Sequence, residues 1–162
     1  MRARDVMIPL REYLRPGSTL KDAARLLATA RRDEEKVGVK GLPVIDDSGA
    51  MVGFLSMGDI LKAVFPPYLR LMNLGDFTWD GMVEDLARKV GDKIVSDLMT
   101  RDVVTVPEAA PLMECVDHML KSDVKRLPVV DASGKILGML YERDVFFAIF
   151  KAMLQENGGG ND

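Results

Sequence analysis

The chain has 162 residues, 48% of them apolar and 29% charged, which describes an ordinary globular protein of one compact domain or two small fused ones. A formal charge of -3 predicts no bulk attraction to nucleic acid or to an anionic membrane. A single cysteine, Cys115, excludes a disulfide framework or a zinc site within one chain.

In chain order, Asp5-Val6-Met7 comes first, followed by a weak strand signal at Leu10 to Leu14, interrupted by Arg11 and Glu12. Thr19 to Ala30 places Leu20, Ala23, Ala24 and Leu27 on one helical face, with Ser18 or Thr19 as the cap. The charged stretch Arg31 to Lys36 interleaves both signs and reads as a solvated loop or helix end. Leu42 to Asp46 and Met51 to Leu55 form a hairpin around Asp46-Asp47-Ser48-Gly49, residues that suit tight turns. Ser56 opens a helix to about Phe65, stopped by Pro66-Pro67. From Tyr68 to Lys93 the chain is too long for a plain linker. Asp80 to Val90 carries a helical stripe of Met82, Val83, Leu86 and Val90, and Phe77 and Trp79 are expected to dock this segment on the core.

The second half repeats the plan. Asp97-Leu98-Met99 precedes a short strand, Val103 to Val106. A helix from Pro111 to Lys121 comes next, with Leu112, Cys115, Val116 and Met119 on one stripe. Leu127 to Val130 and Ile136 to Leu140 flank the turn Asp131-Ala132-Ser133-Gly134, and Glu142 to about Leu154 closes the unit. The repeat is literal. Leu42-Pro43-Val44-Ile45-Asp46 returns 85 positions on as Leu127-Pro128-Val129-Val130-Asp131, and the same offset carries Gly53 to Gly138 and Asp59 to Asp144. Asp5-Val6-Met7 matches Asp97-Leu98-Met99 at an offset of 92, so the first copy carries seven extra residues between Leu20 and Leu42. The expected organisation is a repeat over 1–65, a helical connector over 66–93, a second repeat over 94–154 and a frayed tail over 155–162. The fold class is α/β of the mixed α+β kind, two β-α-β-β-α units. The closing helix, with Val145, Phe146, Phe147, Ala148, Ile149 and Phe150, is apolar almost all round and needs cover on more than one side, which predicts a homodimer.

The strand-to-helix turn Gly53-Phe54-Leu55-Ser56-Met57-Gly58-Asp59 is the strongest candidate site. A helix N-terminus suits phosphate, the Ser56 hydroxyl adds a donor, and the Asp59 carboxylate can accept from a ribose diol. The same Ser-x-x-Asp spacing also makes a capping pair, and the two readings are compatible. In the second copy Tyr141 replaces the serine while Asp144 persists without that partner. Lys40-Gly41 corresponds to Lys125-Arg126, and Arg126 has the planar fork that pairs with phosphate oxygens; both sites equally fit exposed strand entries. No Walker or dinucleotide glycine loop is present, Gly53 to Gly58 is one residue too long for a hydrolase nucleophile elbow, and His118 lies mid-helix. No nucleophile, base or metal cluster stands out, so no enzyme and no catalytic or metal-binding residue is expected. No apolar run reaches membrane-spanning length and the N-terminus has no secretory core, which makes the cytoplasm the expected location.

Two copies of this plan, each with Leu-Pro-Val-(Ile/Val)-Asp, a Ser-Gly turn and Gly-x-x-(Ser/Tyr)-x-x-Asp, resemble a tandem pair of CBS domains, also called a Bateman module. The resemblance covers roughly residues 1–65 and 94–154. It implies two repeats packed through their sheets about a pseudo-twofold axis with two clefts, in which members of the family often hold AMP, ADP, ATP or S-adenosylmethionine. It implies phosphate at Ser56 and ribose at Asp59 and Asp144. It also implies adenine pockets lined by residues around Leu42, Pro43, Leu127 and Pro128, with Thr105; Lys125, Arg126 and Tyr141 are the further nucleotide-binding candidates at the second cleft. Tyr141 departs from the usual serine or threonine, so the two sites are expected to be unequal. The ligand is then a regulatory adenine nucleotide rather than a cofactor, and the output is a protein partner in trans. A module that has lost its ligand and serves only protein interaction is the alternative, as is a sensor of S-adenosylmethionine.

Overall fold

The structure is a computed structural model and describes residues 1–31, 38–65 and 81–155. The charged stretch after Arg31, Pro66-Pro67, Tyr68, Phe77, Trp79 and the glycine-rich tail lie outside the described residues. In chain order the elements are α1 (Ala3–Val6), β1 (Ile8–Pro9), α2 (Leu20–Thr29), β2 (Gly41–Ile45), β3 (Met51–Ser56), α3 (Met57–Val64), α4 (Met82–Gly91), α5 (Val95–Leu98), β4 (Val106–Pro107), α6 (Leu112–Ser122), β5 (Arg126–Val130), β6 (Ile136–Tyr141) and α7 (Glu142–Leu154).

The chain forms two compact units whose borders differ from those of the sequence repeats. One, the first unit, is Arg11–Val103; the other, the second unit, joins Met1–Leu10 to the chain from Val104 onward. The opening ten residues of the first repeat therefore belong with the second hairpin. Residues 94 to 103, which open the second repeat, belong with the first.

In the first unit β2 and β3 pair antiparallel, Leu42 opposite Leu55 and Val44 opposite Gly53. Leu14 bridges Val44 in parallel and Thr100 bridges Phe54 antiparallel. The second unit shows the same arrangement as a four-stranded sheet, β1-β6-β5-β4. There Val106 runs parallel to Val129 and Ile8 opposes Met139. Leu14 and Val106 are repeat mates, as are Ile8 and Thr100. The strand expected over Val103 to Val106 is confined to Val106–Pro107. The Val103 N–H donates back to the Arg101 carbonyl at 3.1 Å, which turns the approach into a bend.

The same symmetry governs the entries to α2 and α6. Leu20 N–H donates to Lys93 O at 2.8 Å and Leu112 N–H to Met1 O at 3.0 Å. These bonds satisfy helix-start donors that have no intrahelical partner. Thr19 caps α2 by accepting from Asp22 N–H at 3.2 Å, as the sequence predicts. Apolar stripes then close two cores. Leu20, Leu27, Leu42, Val44 and Leu55 lie in one, and Leu112, Cys115, Leu127, Val129 and Leu140 in the other.

Gly53 and Gly138 sit where the borrowed opening segment crosses β3 or β6. A methyl group at Gly53 would meet Met99 Sδ at 2.6 Å and Thr100 O at 2.8 Å. At Gly138 it would meet the Ile8 carbonyl and Met7 Sδ. Both glycines therefore permit close backbone approach.

Candidate functional site

Each hairpin delivers the end of its second strand directly into a helix, and the two turns are built alike. Met57 N–H donates to Lys40 O at 2.8 Å, and Glu142 N–H to Lys125 O at 2.9 Å. The helix start is thereby pinned to the entrance of the first strand. The expected residues Lys40, Ser56 and Asp59 come together in the first unit, and Lys125, Arg126, Tyr141 and Asp144 in the second.

In the first unit Ser56 and Asp59 form a reciprocal capping box. Ser56 Oγ accepts from Asp59 N–H at 3.1 Å, and Asp59 Oδ2 accepts from Ser56 N–H at 2.9 Å. The pair is partly buried. The capping expectation is thus met in this structure. In the second unit the Tyr141 side chain makes no cap to α7, because its hydroxyl stands too far from the backbone for the short loop that serine closes.

The residues opposite these positions deepen the asymmetry. Gly41 faces Ser56 across the first hairpin, while Arg126 faces Tyr141 across the second. Side chains directly opposite on antiparallel strands are neighbours. The first turn therefore has no side chain opposite its serine, and the second carries a cation and a phenol. Asp144 lines an open cavity of about 480 Å³ with Asp5, Val6, Phe147 and Lys151. The Asp5 carboxylate is anchored there by Arg2 N–H at 2.8 Å. This cavity brings the Asp5 and Asp144 side chains together with Lys151 and the N-terminal residue Met1.

Other expected residues are placed differently. Leu42, Pro43, Leu127 and Pro128 are core side chains, the latter three fully buried. What they can offer a ligand is the backbone edge and shape of β2 and β5. Thr105 is half-buried immediately before β4. One residue escaped the sequence reading. Glu12 has a buried Oε2 without a hydrogen-bond partner. An unpaired buried acceptor is uncommon and calls for a donor. The strand interruption at Arg11-Glu12 was its only signal in the sequence.

Among the described residues there is no group of three or more His, Cys, Asp or Glu able to hold a metal. Nor is any helix among them long and apolar enough to cross a membrane.

Twin hairpins with exchanged opening segments, each ending in a Gly-x-x-(Ser/Tyr)-x-x-Asp turn, define a tandem α/β repeat protein whose candidate sites lie at strand-to-helix turns. The CBS domain model matches residues 3–66 and 95–151, and the chain belongs to the CBS-domain family as a tandem pair. It is 32% identical over 157 residues to the chloroplastic CBS domain-containing protein CBSX2 of Arabidopsis thaliana, covering 87% of this chain and 60% of that one. It is 31% identical over 124 residues to protein MJ1426 of Methanocaldococcus jannaschii, covering 68% of this chain and 73% of that one. The crystal structure of CBSX2 in complex with AMP superposes with a TM-score of 0.68 at 31% identity, over 94% of this chain and 98% of that one. The chain thus spans under two thirds of the full CBSX2 sequence while matching nearly all of the crystallised chain.

Proposed function

We propose that this chain is a regulatory module that binds an adenine nucleotide at its strand-to-helix turns and signals to a protein partner in trans as a homodimer, without catalysing a reaction itself. The observation that carries this reading is the likeness to the AMP complex of CBSX2 across almost the whole of both chains, joined to the Ser56–Asp59 turn. In this reading Ser56 meets phosphate and Asp59 holds the ribose. The capping box keeps both polar groups satisfied until a ligand displaces its bonds. Asp144 holds the ribose at the second site, where Arg126 supplies the phosphate charge that Tyr141 cannot replace as a small donor. The strand edges at Leu42-Pro43 and Leu127-Pro128, with Thr105 and Lys125, contact the base and its surroundings. A ligand acts on such a module only through its different affinities for two shapes.

Calorimetric titration with AMP tests the assignment. Asp59→Ala and Asp59→Asn are expected to weaken binding tenfold or more, about 1.4 kcal/mol. The asparagine retains a carbonyl for the cap and so separates binding from the roughly 1 kcal/mol of a lost cap. Unchanged affinity in both variants removes Asp59 from the site.

A further inference from the structure

Each unit carries one tyrosine and one small hydroxyl residue at two equivalent positions, and the two units carry them the other way round. Just before the parallel pairing of Leu14 or Val106, the first unit has Tyr13 and the second its repeat mate Thr105. At the strand-to-helix turn the first unit has Ser56 and the second Tyr141. The fold demands an aromatic ring at neither position, because the other unit fills each with a small residue.

Tyr13 is placed by backbone bonds. Leu14 N–H donates to Pro43 O at 2.9 Å, and Leu14 O accepts from Ile45 N–H at 2.8 Å. The peptide joining Tyr13 to Leu14 therefore lies against Pro43. Leu14 is a core residue, whereas Tyr13 is 41% exposed. Among the described residues the Tyr13 ring makes no aromatic contact and its hydroxyl no hydrogen bond. Alternate residues of a strand share a face, so Gly41 and Pro43 share one, and Ser56 stands directly opposite Gly41. In the second unit Arg126 and Pro128 are the corresponding pair, and the half-buried Tyr141 stands opposite Arg126. Each unit thus sets one tyrosine beside the strand edge that carries its Leu-Pro dipeptide.

We infer that these tyrosines are the platforms on which the nucleobase stacks, Tyr13 in the first site and Tyr141 in the second. This inference rests on the nucleotide reading above and assigns it two residues. A purine offers a flat face to an aromatic ring whatever its edge substituents, and tyrosine presents such a ring at the cost of ordering only two torsions. Tyr141 then supplies the ring that the second unit lacks at Thr105, as well as displacing the serine of the turn.

Proton NMR of AMP, ADP and ATP with the full chain tests the platforms, because a base stacked on an aromatic ring has its H2 and H8 resonances moved upfield. Wild type is expected to produce that shift. Tyr13→Thr/Tyr141→Ser, which gives each position the other unit's residue, is expected to abolish the shift and to weaken binding by about tenfold or more. Tyr13→Phe/Tyr141→Phe is expected to keep both. If the Thr/Ser pair fails to fold, Tyr13→Thr alone, at an exposed position, is expected to remove part of the shift. Nucleotide bound without an upfield shift, or a shift that survives loss of the rings, overturns the platforms and leaves the nucleotide reading standing. Equal loss in the phenylalanine pair assigns the effect to the hydroxyls and likewise overturns the platforms. Wild type that binds none of the three overturns both.

Discussion

At the scale of single residues, the two hairpin turns show how a side chain replaces backbone bonding. Asp46 Oδ1 accepts from Ser48 N–H at 2.9 Å, from the Ser48 hydroxyl at 2.6 Å and from Ala50 N–H at 3.1 Å. Asp131 repeats this with Ser133 and Lys135. The serine hydroxyl bonds are the main reason that both carboxyls titrate below the usual 3.8. A depressed folded pKa contributes stability that is present above the unfolded value and is lost as pH falls through the folded one. Thermal unfolding as a function of pH should therefore show wild type exceeding Asp46→Asn/Asp131→Asn near neutrality, with the gap closing in the acid range below the unfolded carboxylate pKa. A gap independent of pH would contradict this. Cys115 presents the opposite case, since burial first and the Glu114 charge second push its thiol up. It should resist a thiol reagent in native protein and react on unfolding; rapid native labelling would contradict its burial. The turns, the Thr19 cap and the Ser56–Asp59 pair were all legible in the sequence because each is local chemistry over two to four positions. The buried Glu12 carboxyl was not, since burial depends on what the rest of the chain brings alongside.

At the scale of elements, the hairpins and long helices were legible for a related reason. Short apolar strands bounded by Asp-x-Ser-Gly, and stripes at helical spacing, carry their own periodicity. The helix expected over Asp80 to Val90 is found as Met82–Gly91. The opening strand of the first repeat was hidden because it reduces to a single bridge at Leu14 and the two residues Ile8–Pro9, pairings too short to leave a pattern. Gly53 and Gly138 held the missing information. The neighbour that needs the space of their missing side chains is the other repeat's opening, Met99 and Thr100 at Gly53 and Met7 and Ile8 at Gly138. Gly138→Ala should destabilise the protein by about 1–3 kcal/mol in urea denaturation, as overpacking does. Gly53→Ala should cost less, because the flexible Met99 side chain can yield part of the space. Equal and negligible effects would contradict the close approach.

At the scale of the whole molecule, exchange of the opening segments means that neither sequence repeat is a complete structural unit. Removing Met1–Leu10 takes α1 and β1 from the second unit and uncovers the edge of β6. It is expected to lower the stability of that unit and to increase aggregation, because an unpaired strand edge recruits other chains. Light scattering of the truncated chain during heating checks this, and behaviour identical to wild type would contradict the exchange. The repeat itself, and with it the family, was legible from two ordered sets of motifs at fixed offsets. The exchange was not, because an offset says which residues correspond and nothing about which hairpin each will join.

The nucleotide assignment is the claim on which the functional account depends. It is tested most directly by a thermal-shift titration of nucleotide-stripped protein with AMP, ADP, ATP and S-adenosylmethionine. A ligand that binds only the folded state adds roughly 2.7 kcal/mol at about 100 times its dissociation constant. The account predicts a saturable rise with at least one adenine nucleotide that is strongly reduced in Asp59→Asn. No shift with any of the four, with calorimetry equally silent, would contradict it and leave the chain as a module for protein interaction alone.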